Sequence, residues 1–483
     1  MKILVLQLAR LGDVYLSWPA IRALRRTYPM AEIHLLTRPR FAAAAEGLTA
    51  VQKVIHLPTS EILAPLAQED IQVNTAFAAL SNFVDQLANE NYDWVVNFSF
   101  SPFSSYLTHA VAGSQAKVFG YTRHQDGFLA IPDDVSAYFY AQVGQDRPNR
   151  FHLVEMFTSQ VGLDLVPEDW RGPSPFPATQ KILPAEYIVV HIGASDLGKA
   201  LPPEQWVQII QNLRANNPIA IVLVGSPDEE PIAQKMVEAL GDRDIVNCVG
   251  KTQLNELFPI LKSSRLLVGC DSAPIHMATY TNTPVVNLSY GNVNFWETGP
   301  RSLESVVLRI KTEADVDAIR IADVIHRAIA GQKQELGITH VTAGTPSYWC
   351  FNSKESDFDW FFARALYMGE DFPTCEDPNF ASALKQMRDI NSLMVQQIQV
   401  VEKTGDVSRA APFIERGEEI IETIAKLVPA LQILVRWYQT EKIRIPPGEM
   451  MQVLHRTLEI HLLLQKVLDL YEQPTEAVMK EVP

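Results

Sequence analysis

Over roughly the first 165 residues, short apolar runs alternate with stretches of helical spacing. Residues 3–8, 32–36, 51–57 and 94–98 read as strands. Between the first two, Val14, Ile21, Leu24 and Tyr28 fall at the spacing of one helix face. Strand–helix alternation of this kind predicts a parallel sheet covered by helices. Pro19 leaves two outcomes open for the first helix. Either it starts late, with Asp13 on the preceding loop, or it runs through the proline and is kinked there. Both put Asp13 beyond the carboxyl end of the first strand, where open α/β sheets keep their chemistry.

A proline-rich passage follows, with Pro167, Pro173, Pro175, Pro177 and Pro184, and reads as an interdomain linker. The alternation then restarts. Residues 187–191, 219–224, 266–268 and 285–288 have strand character, and a helix passes through Trp206, Ile209 and Ile210. Two α/β domains in tandem are expected, over residues 1–170 and 185–332. Past residue 333 the texture changes. An aromatic stretch, 339–377, reads as loop, and three long helical patterns follow. They run through Leu384–Met387–Met394–Ile398–Val401, through Ile414–Ile421–Ile424–Val428–Leu431–Val435–Tyr438, and through Met450–Val453–Leu464–Val467–Tyr471. Each carries one apolar stripe. A three-helix bundle over residues 340–475 would bury all three internally, and docking onto a protein partner is the alternative.

Composition narrows the function classes. No run reaches the roughly 18 apolar residues of a membrane span, and the four cysteines are scattered without a Cys-x-x-Cys pair. A reducing, cytoplasmic setting is expected, without structural zinc or a disulfide framework. The net charge of −15 and the lack of a large basic cluster argue against a nucleic-acid binder. Arg22, Arg25 and Arg26 form a local basic spot, either a solvated helix face or a site for an anionic acceptor.

Four strand-to-helix turns carry the candidate chemistry. In Ala9-Arg10-Leu11-Gly12-Asp13, the glycine permits a tight turn or close ligand approach, and the carboxylate could take a proton from an attacking hydroxyl. Helix capping is the plain alternative for Asp13. In His191-Ile192-Gly193-Ala194-Ser195, the small-residue turn exposes N–H groups to phosphate, and Lys199 could add a charge. Glu229, after Gly225-Ser226-Pro227-Asp228, could hydrogen-bond ribose hydroxyls or simply favour a helix N-terminus. The fullest signal is Gly269-Cys270-Asp271-Ser272-Ala273-Pro274-Ile275-His276. Pro274 suits a first helical turn. The N–H groups of Ser272, Ala273 and Ile275 could then face a diphosphate, with His276 beside them. Gly291 ends the next strand at the same cleft. Ser99 and His152 are candidate acceptor contacts by position, with Arg10 and Gly12 on the first turn.

Together these motifs resemble glycosyltransferase family 9, the heptosyltransferases of lipopolysaccharide assembly. The likeness covers roughly residues 1–325: Leu11-Gly12-Asp13, the block from His191 to Lys199 and Pro202, and Asp271 to His276. Ala273 stands where the family usually has glycine, and the helical extension lies outside the minimal family. The resemblance implies a GT-B fold of two Rossmann-like domains and inversion at the anomeric carbon without an obligatory metal or resident cofactor. Asp13 would be the general base. Ser195, Lys199, Glu229, Asp271, Ser272, Ala273, Pro274, His276 and Gly291 would bind a nucleotide-diphosphate sugar, with ADP-heptose the expected donor.

The acceptor would be a lipopolysaccharide or other glycan. A lipid-linked acceptor would bring the enzyme to the inner face of the inner membrane without a span of its own. Two other readings stay open: a protein glycosyltransferase whose helices recognise the acceptor, and a non-catalytic nucleotide-sugar-binding scaffold.

Overall fold

The computed structural model describes residues 1–472 except 177, 180, 195, 217, 242–243, 333–338, 342–347, 352–356, 376 and 407–410. Two compact units emerge. Met1–Ser99, Val111–Lys117 and Arg150–Lys354 make the first; Phe100–Ala110, Val118–Asn149 and Glu355–Pro483 make the second.

Apart from Val118 and Phe119, both large sheets belong to the first unit. β1 (Lys2–Leu6), β2 (Glu32–Thr37), β3 (Lys53–His56), β4 (Trp94–Asn97) and β5 (Lys117–Phe119) form a sheet of order β3-β2-β1-β4-β5. β1 pairs in parallel with both β2 and β4. Strand order therefore reverses beside β1, and the connection leaving β1 opens onto that switch point. The connection leads into α1 (Leu11–Thr27), which contains Pro19. Of the two outcomes the sequence leaves open, the late start is not observed: the helix runs through Pro19, and Asp13 lies in its first turn. Later in the chain come α2 (Asp134–Gln142), which belongs to the second unit, and α3 (Leu153–Gln160).

The second sheet contains β6 (Tyr187–His191), β7 (Ala220–Val224), β8 (Ile245–Asn247), β9 (Leu267–Gly269), β10 (Val285–Tyr290), β11 (Val306–Ile310), β12 (Thr339–Val341) and β13 (Tyr348–Phe351). Its order is β8-β7-β6-β9-β10-β11-β13-β12, parallel except for the β12–β13 pair. Here the reversal lies between β6 and β9. Ile188 and Val190 join Trp206, Ile209, Val268 and Leu288 in one core. By strand alternation His191, Gly269 and Asn287, which are aligned across three strands, belong to the opposite face. Over that sheet lie α4 (Leu257–Ser263) and α5 (Ala273–Thr281).

Pro19 has no N–H to give to Tyr15, so the Tyr15 carbonyl loses its intrahelical partner. The Tyr280 hydroxyl, on α5, donates to that carbonyl. Around this bond Trp18 packs against Tyr15, Phe258 and Tyr280, and the Arg22 guanidinium lies 4.9 Å from the Trp18 ring centre. A seam of buried aromatics thus joins the lobes of the two sheets. Arg22, Arg25 and Arg26 are engaged by neighbouring backbone and carboxylate groups, with Arg26 still 40% exposed. Arg22 donates to the Asp169 carbonyl, Arg25 to the carbonyls of Ala50, Pro29 and Ala31, and Arg26 pairs with Asp169 at 3.0 Å.

The second unit differs from the expected self-contained bundle over 340–475. It includes Phe100–Ala110 and Val118–Asn149, which the sequence pattern places in the N-terminal domain. The physical reason is visible at α2. Gln142 donates to the Ile433 carbonyl at 3.1 Å, and Tyr138 meets the edge of Tyr367. Among the described residues five helices follow: α6 (Asp357–Met368), α7 (Pro378–Thr404), α8 (Ala411–Leu427), α9 (Gln432–Ile443) and α10 (Met450–Glu472). The aromatic stretch read as loop contains α6, because Phe358 and Phe362 are one turn apart and pack with Phe380. What reads as one helix from Ile414 to Tyr438 is α8 plus α9, broken at Pro429, before which Val428 takes non-helical dihedrals. Among the described residues no helix is long and apolar enough to cross a membrane.

Replacing Tyr280 by Phe strands the buried Tyr15 carbonyl and should cost about 1–3 kcal/mol in urea unfolding. Adding Pro19→Ala restores an N–H four residues on and should recover part of that loss. Equal stability of Tyr280→Phe and wild type would rule out the role given to this bond.

Candidate active site

The turn after β1 is tied down by its neighbours. The Ser99 hydroxyl accepts the Leu8 N–H at 2.7 Å and donates to the Leu6 carbonyl at 3.3 Å. Gln7 accepts the Ala9 N–H and donates to the Phe98 carbonyl. Ser99 is therefore a bracket between β1 and β4, and its hydroxyl is already in use rather than offered to an acceptor. Arg10, exposed, precedes the helix, and its N–H donates to Asp13 Oδ2 at 3.0 Å. The capping role of Asp13 is real. Among the described residues its Oδ1 has no hydrogen-bond partner. Burial pushes the Asp13 carboxyl up to about 6, with Asp271 adding to the rise and Arg10 and Lys199 opposing it.

Gly12 brings the second lobe in. A Cβ there would sit 2.9 Å from the His276 ring and 3.9 Å from the Ala273 backbone. The N-termini of α1 and α5 thus abut, and only glycine leaves room for the contact. On α5, Ser272 is the extended N-cap residue and Pro274 falls in the first turn. Ala273 is regular helix and needs no left-handed backbone, so alanine in place of glycine carries no strain. Of the N–H groups expected to face a phosphate, that of Ile275 donates to the Ser272 carbonyl, leaving those of Ser272 and Ala273.

The α5 terminus is polar on every side. Lys199 Nζ and Asp271 Oδ2 are 3.1 Å apart, with only 13% and 10% of the side chains exposed. The Ser272 hydroxyl lies 3.1 Å from the Cys270 carbonyl and 3.0 Å from His191 Nδ1. Burial lowers both His191 and His276 to about 4, so both rings are neutral at physiological pH. Sequence reasoning assigns His191 no role of its own, although it opens the second motif. Gly291, at φ +73°, backs the loop that carries Lys199, where an added Cβ would overlap the Gly198 carbonyl oxygen. Glu229 stands farther along, at the ends of β6 and β7. Its carboxylate accepts the Ser226 N–H at 2.8 Å and fills space that a Cβ on Gly193 or Gly225 would occupy. Burial raises its pKa. Ser195 lies outside the described residues.

His152 is not at the surface. It is buried at the start of α3, where Nδ1 accepts the Val154 N–H and Nε2–H donates to the Gly299 carbonyl. With both nitrogens engaged and burial holding the ring neutral, it is a strut rather than an acceptor contact. Arg301, buried beside it and paired with Glu155, had no local sequence signal. Among the described residues no cluster of three or more His, Cys, Asp or Glu is placed to hold a metal ion.

Two Rossmann-like sheets with facing switch points, joined over a carboxylate on one side and a helix N-terminus with a lysine on the other, define a GT-B glycosyltransferase. The profile of glycosyltransferase family 9 (heptosyltransferase) matches residues 81–322, half of the chain, and the chain belongs to that family. It is 23% identical over 349 residues to lipopolysaccharide heptosyltransferase 3 of Escherichia coli, covering 65% of this chain and 94% of that one. The structure of E. coli heptosyltransferase WaaC with ADP superposes with a TM-score of 0.51 at 19% identity, covering 69% of this chain and all (100%) of that one. A family 9 glycosyltransferase from Veillonella parvula DSM 2008 gives 0.50 at 19% identity, over 69% of this chain and 97% of that one. The protein is a glycosyltransferase acting with a nucleotide sugar.

Gly291→Ala must displace the loop bearing Lys199 and should lower unfolding stability by about 1–3 kcal/mol. Gly198→Ala, whose Cβ would meet nothing nearer than 3.4 Å, should stay near wild type. A benign Gly291→Ala would show that the loop is not held by this contact.

Proposed function

We propose that the enzyme moves heptose or a related sugar from an ADP-linked donor to a hydroxyl of a lipopolysaccharide or other glycan, with inversion. The observation that carries this reading is the meeting of Asp13 with Lys199, Asp271 and His276 across the two switch points. The relatives point the same way. One is named for lipopolysaccharide heptose transfer and another was solved with ADP. The donor diphosphate would lie at the N-terminus of α5, against the N–H groups of Ser272 and Ala273 and the neutral His276 ring. It would compete with Asp271 for Lys199. Glu229 would meet the ribose hydroxyls.

Asp13 takes the proton from the acceptor hydroxyl as its oxygen attacks the anomeric carbon. The bond from that carbon to the diphosphate breaks on the opposite face. Charge developing on the leaving diphosphate is met by Lys199 and by dipoles already fixed in place. A carboxyl at about 6 is ionised at neutral pH and more basic than an ordinary aspartate, which suits it to this transfer.

The sign of the pH dependence follows. Asp13 is protonated below about 6, so kcat/KM should fall roughly tenfold per unit beneath that value and level off above it. Asp13→Asn should cut kcat by about 10²–10⁴-fold while ADP still raises the melting temperature. The folded state binds this proton more tightly than the unfolded chain, so ionised Asp13 subtracts stability as pH rises from about 4 to about 6. Asp13→Asn should therefore melt higher than wild type at pH 8 and lose that advantage at pH 4.

A nucleotide panel tests the donor. Thermal stabilisation by ADP in preference to UDP or GDP, abolished by Lys199→Ala, is expected. A preference for UDP or GDP would overturn the ADP-linked donor.

A further inference from the structure

The second unit contains a cleft of about 700 Å³ lined by none of the residues assigned to the transfer reaction. Its walls come from two stretches far apart in sequence. Tyr140 and Arg147 come from the Val118–Asn149 segment, and Arg436, Gln439, Lys442 and Ile443 from α9. Three cations line it. Lys442 is paired with Glu418. The neighbouring Arg444 is held by Asp134 and Glu441. Arg147 and Arg436 have no such balance, since among the described residues no carboxylate lies within ion-pair distance of either. Arg147 gives one N–H to the Ala141 carbonyl. Arg436 is partly buried, and among the described residues its fully enclosed Nη1 has no hydrogen-bond partner.

An enclosed guanidinium nitrogen without an acceptor is costly, because it has given up water and gained nothing. Here the cost is compounded by a second guanidinium. Burial and the charge of Arg147 together lower Arg436 to about 10, and Asp359 offsets this only from a distance. Two guanidinium forks without an ion-pair partner among the described residues amount to two positive charges. That matches the near-dianionic charge of a phosphate monoester at neutral pH, whose oxygens accept the paired N–H groups of arginine. The volume exceeds what a bare ion needs and falls in the range of small-molecule sites. Tyr140, 41% exposed, and Gln439 add an aromatic ring and an amide to the lining.

We propose that this cleft binds a phosphorylated sugar, its phosphate held between Arg147 and Arg436 and its ring against Tyr140. The assignment rests on the second unit alone and would survive failure of the donor assignment.

Calorimetric titration of the full-length protein with glucose 6-phosphate tests it, with glucose as the uncharged control. Binding is expected in wild type and unchanged in Lys199→Ala, which removes the cation expected to hold a diphosphate in the first unit. Arg436→Met should weaken it at least tenfold, and Arg147→Gln likewise. Arg436→Met should also raise the melting temperature of the ligand-free protein, because an apolar side chain replaces an unbalanced buried charge. That rise distinguishes loss of the site from loss of the fold. Binding that disappears in Lys199→Ala, or that persists in both arginine variants, overturns the proposal, as does equal binding of glucose. Phosphatidylcholine vesicles with and without diphosphorylated lipid A separate the two sources of the ligand. Capture only by the lipid A vesicles points to a lipid-linked sugar phosphate, and binding of glucose 6-phosphate alone to a free one.

Discussion

The close approach of two helix N-termini, α1 from the first sheet and α5 from the second, is the constraint on which the rest of the site depends. Each terminus stands at the switch point of its own sheet. Their contact at Gly12 and His276 brings the Asp13 carboxylate into the field of Lys199 and Asp271. The contact is maintained from behind by the hydrogen bond from Tyr280 to Tyr15 and by the rings around Trp18. A residue that would ordinarily weaken a helix, Pro19, supplies the free carbonyl to which the second lobe is fastened. Backbone frustration inside one helix is resolved by the other lobe.

Electrostatically the site is assembled from opposed tendencies. Burial keeps His191 and His276 neutral and Asp13 less acidic than usual, while Lys199 and Asp271 satisfy each other. A polyanion arriving at α5 would enter a region that already has fixed donors and one cation whose present partner can be exchanged. Little rearrangement of dipoles would then be required at the moment of bond breaking.

Much of this was legible in the chain itself. Fully buried parallel strands leave apolar runs, so 187–191 could be read to the residue, and the others fall within a few positions. The turns carrying Asp13, Lys199 and Asp271 announced themselves through glycine and proline at strand ends. What stayed hidden depends on partners distant in sequence. Nothing near Tyr280 signals Tyr15, 265 positions earlier. Ser99 and His152 looked available because polarity is local information, whereas being spent on a backbone group is not. Ile414 to Tyr438 keeps its helical period across Pro429, so periodicity alone concealed the break. The aromatics of α6 looked like loop until their packing with Phe380 was seen.

The second unit is discontinuous in the chain, and this bears on synthesis at the ribosome. Segment Val118–Asn149 emerges long before α9, against which α2 packs. At roughly 5–20 residues per second, the delay is on the order of tens of seconds. During it the face of α2 that will meet Ile433 and Tyr367 has no partner, while the first sheet can already form. Nascent chains would thus carry an unfinished surface until translation is nearly complete. For the same reason a chain truncated before α6 would expose that face permanently, so the helices cannot be regarded as a removable appendage.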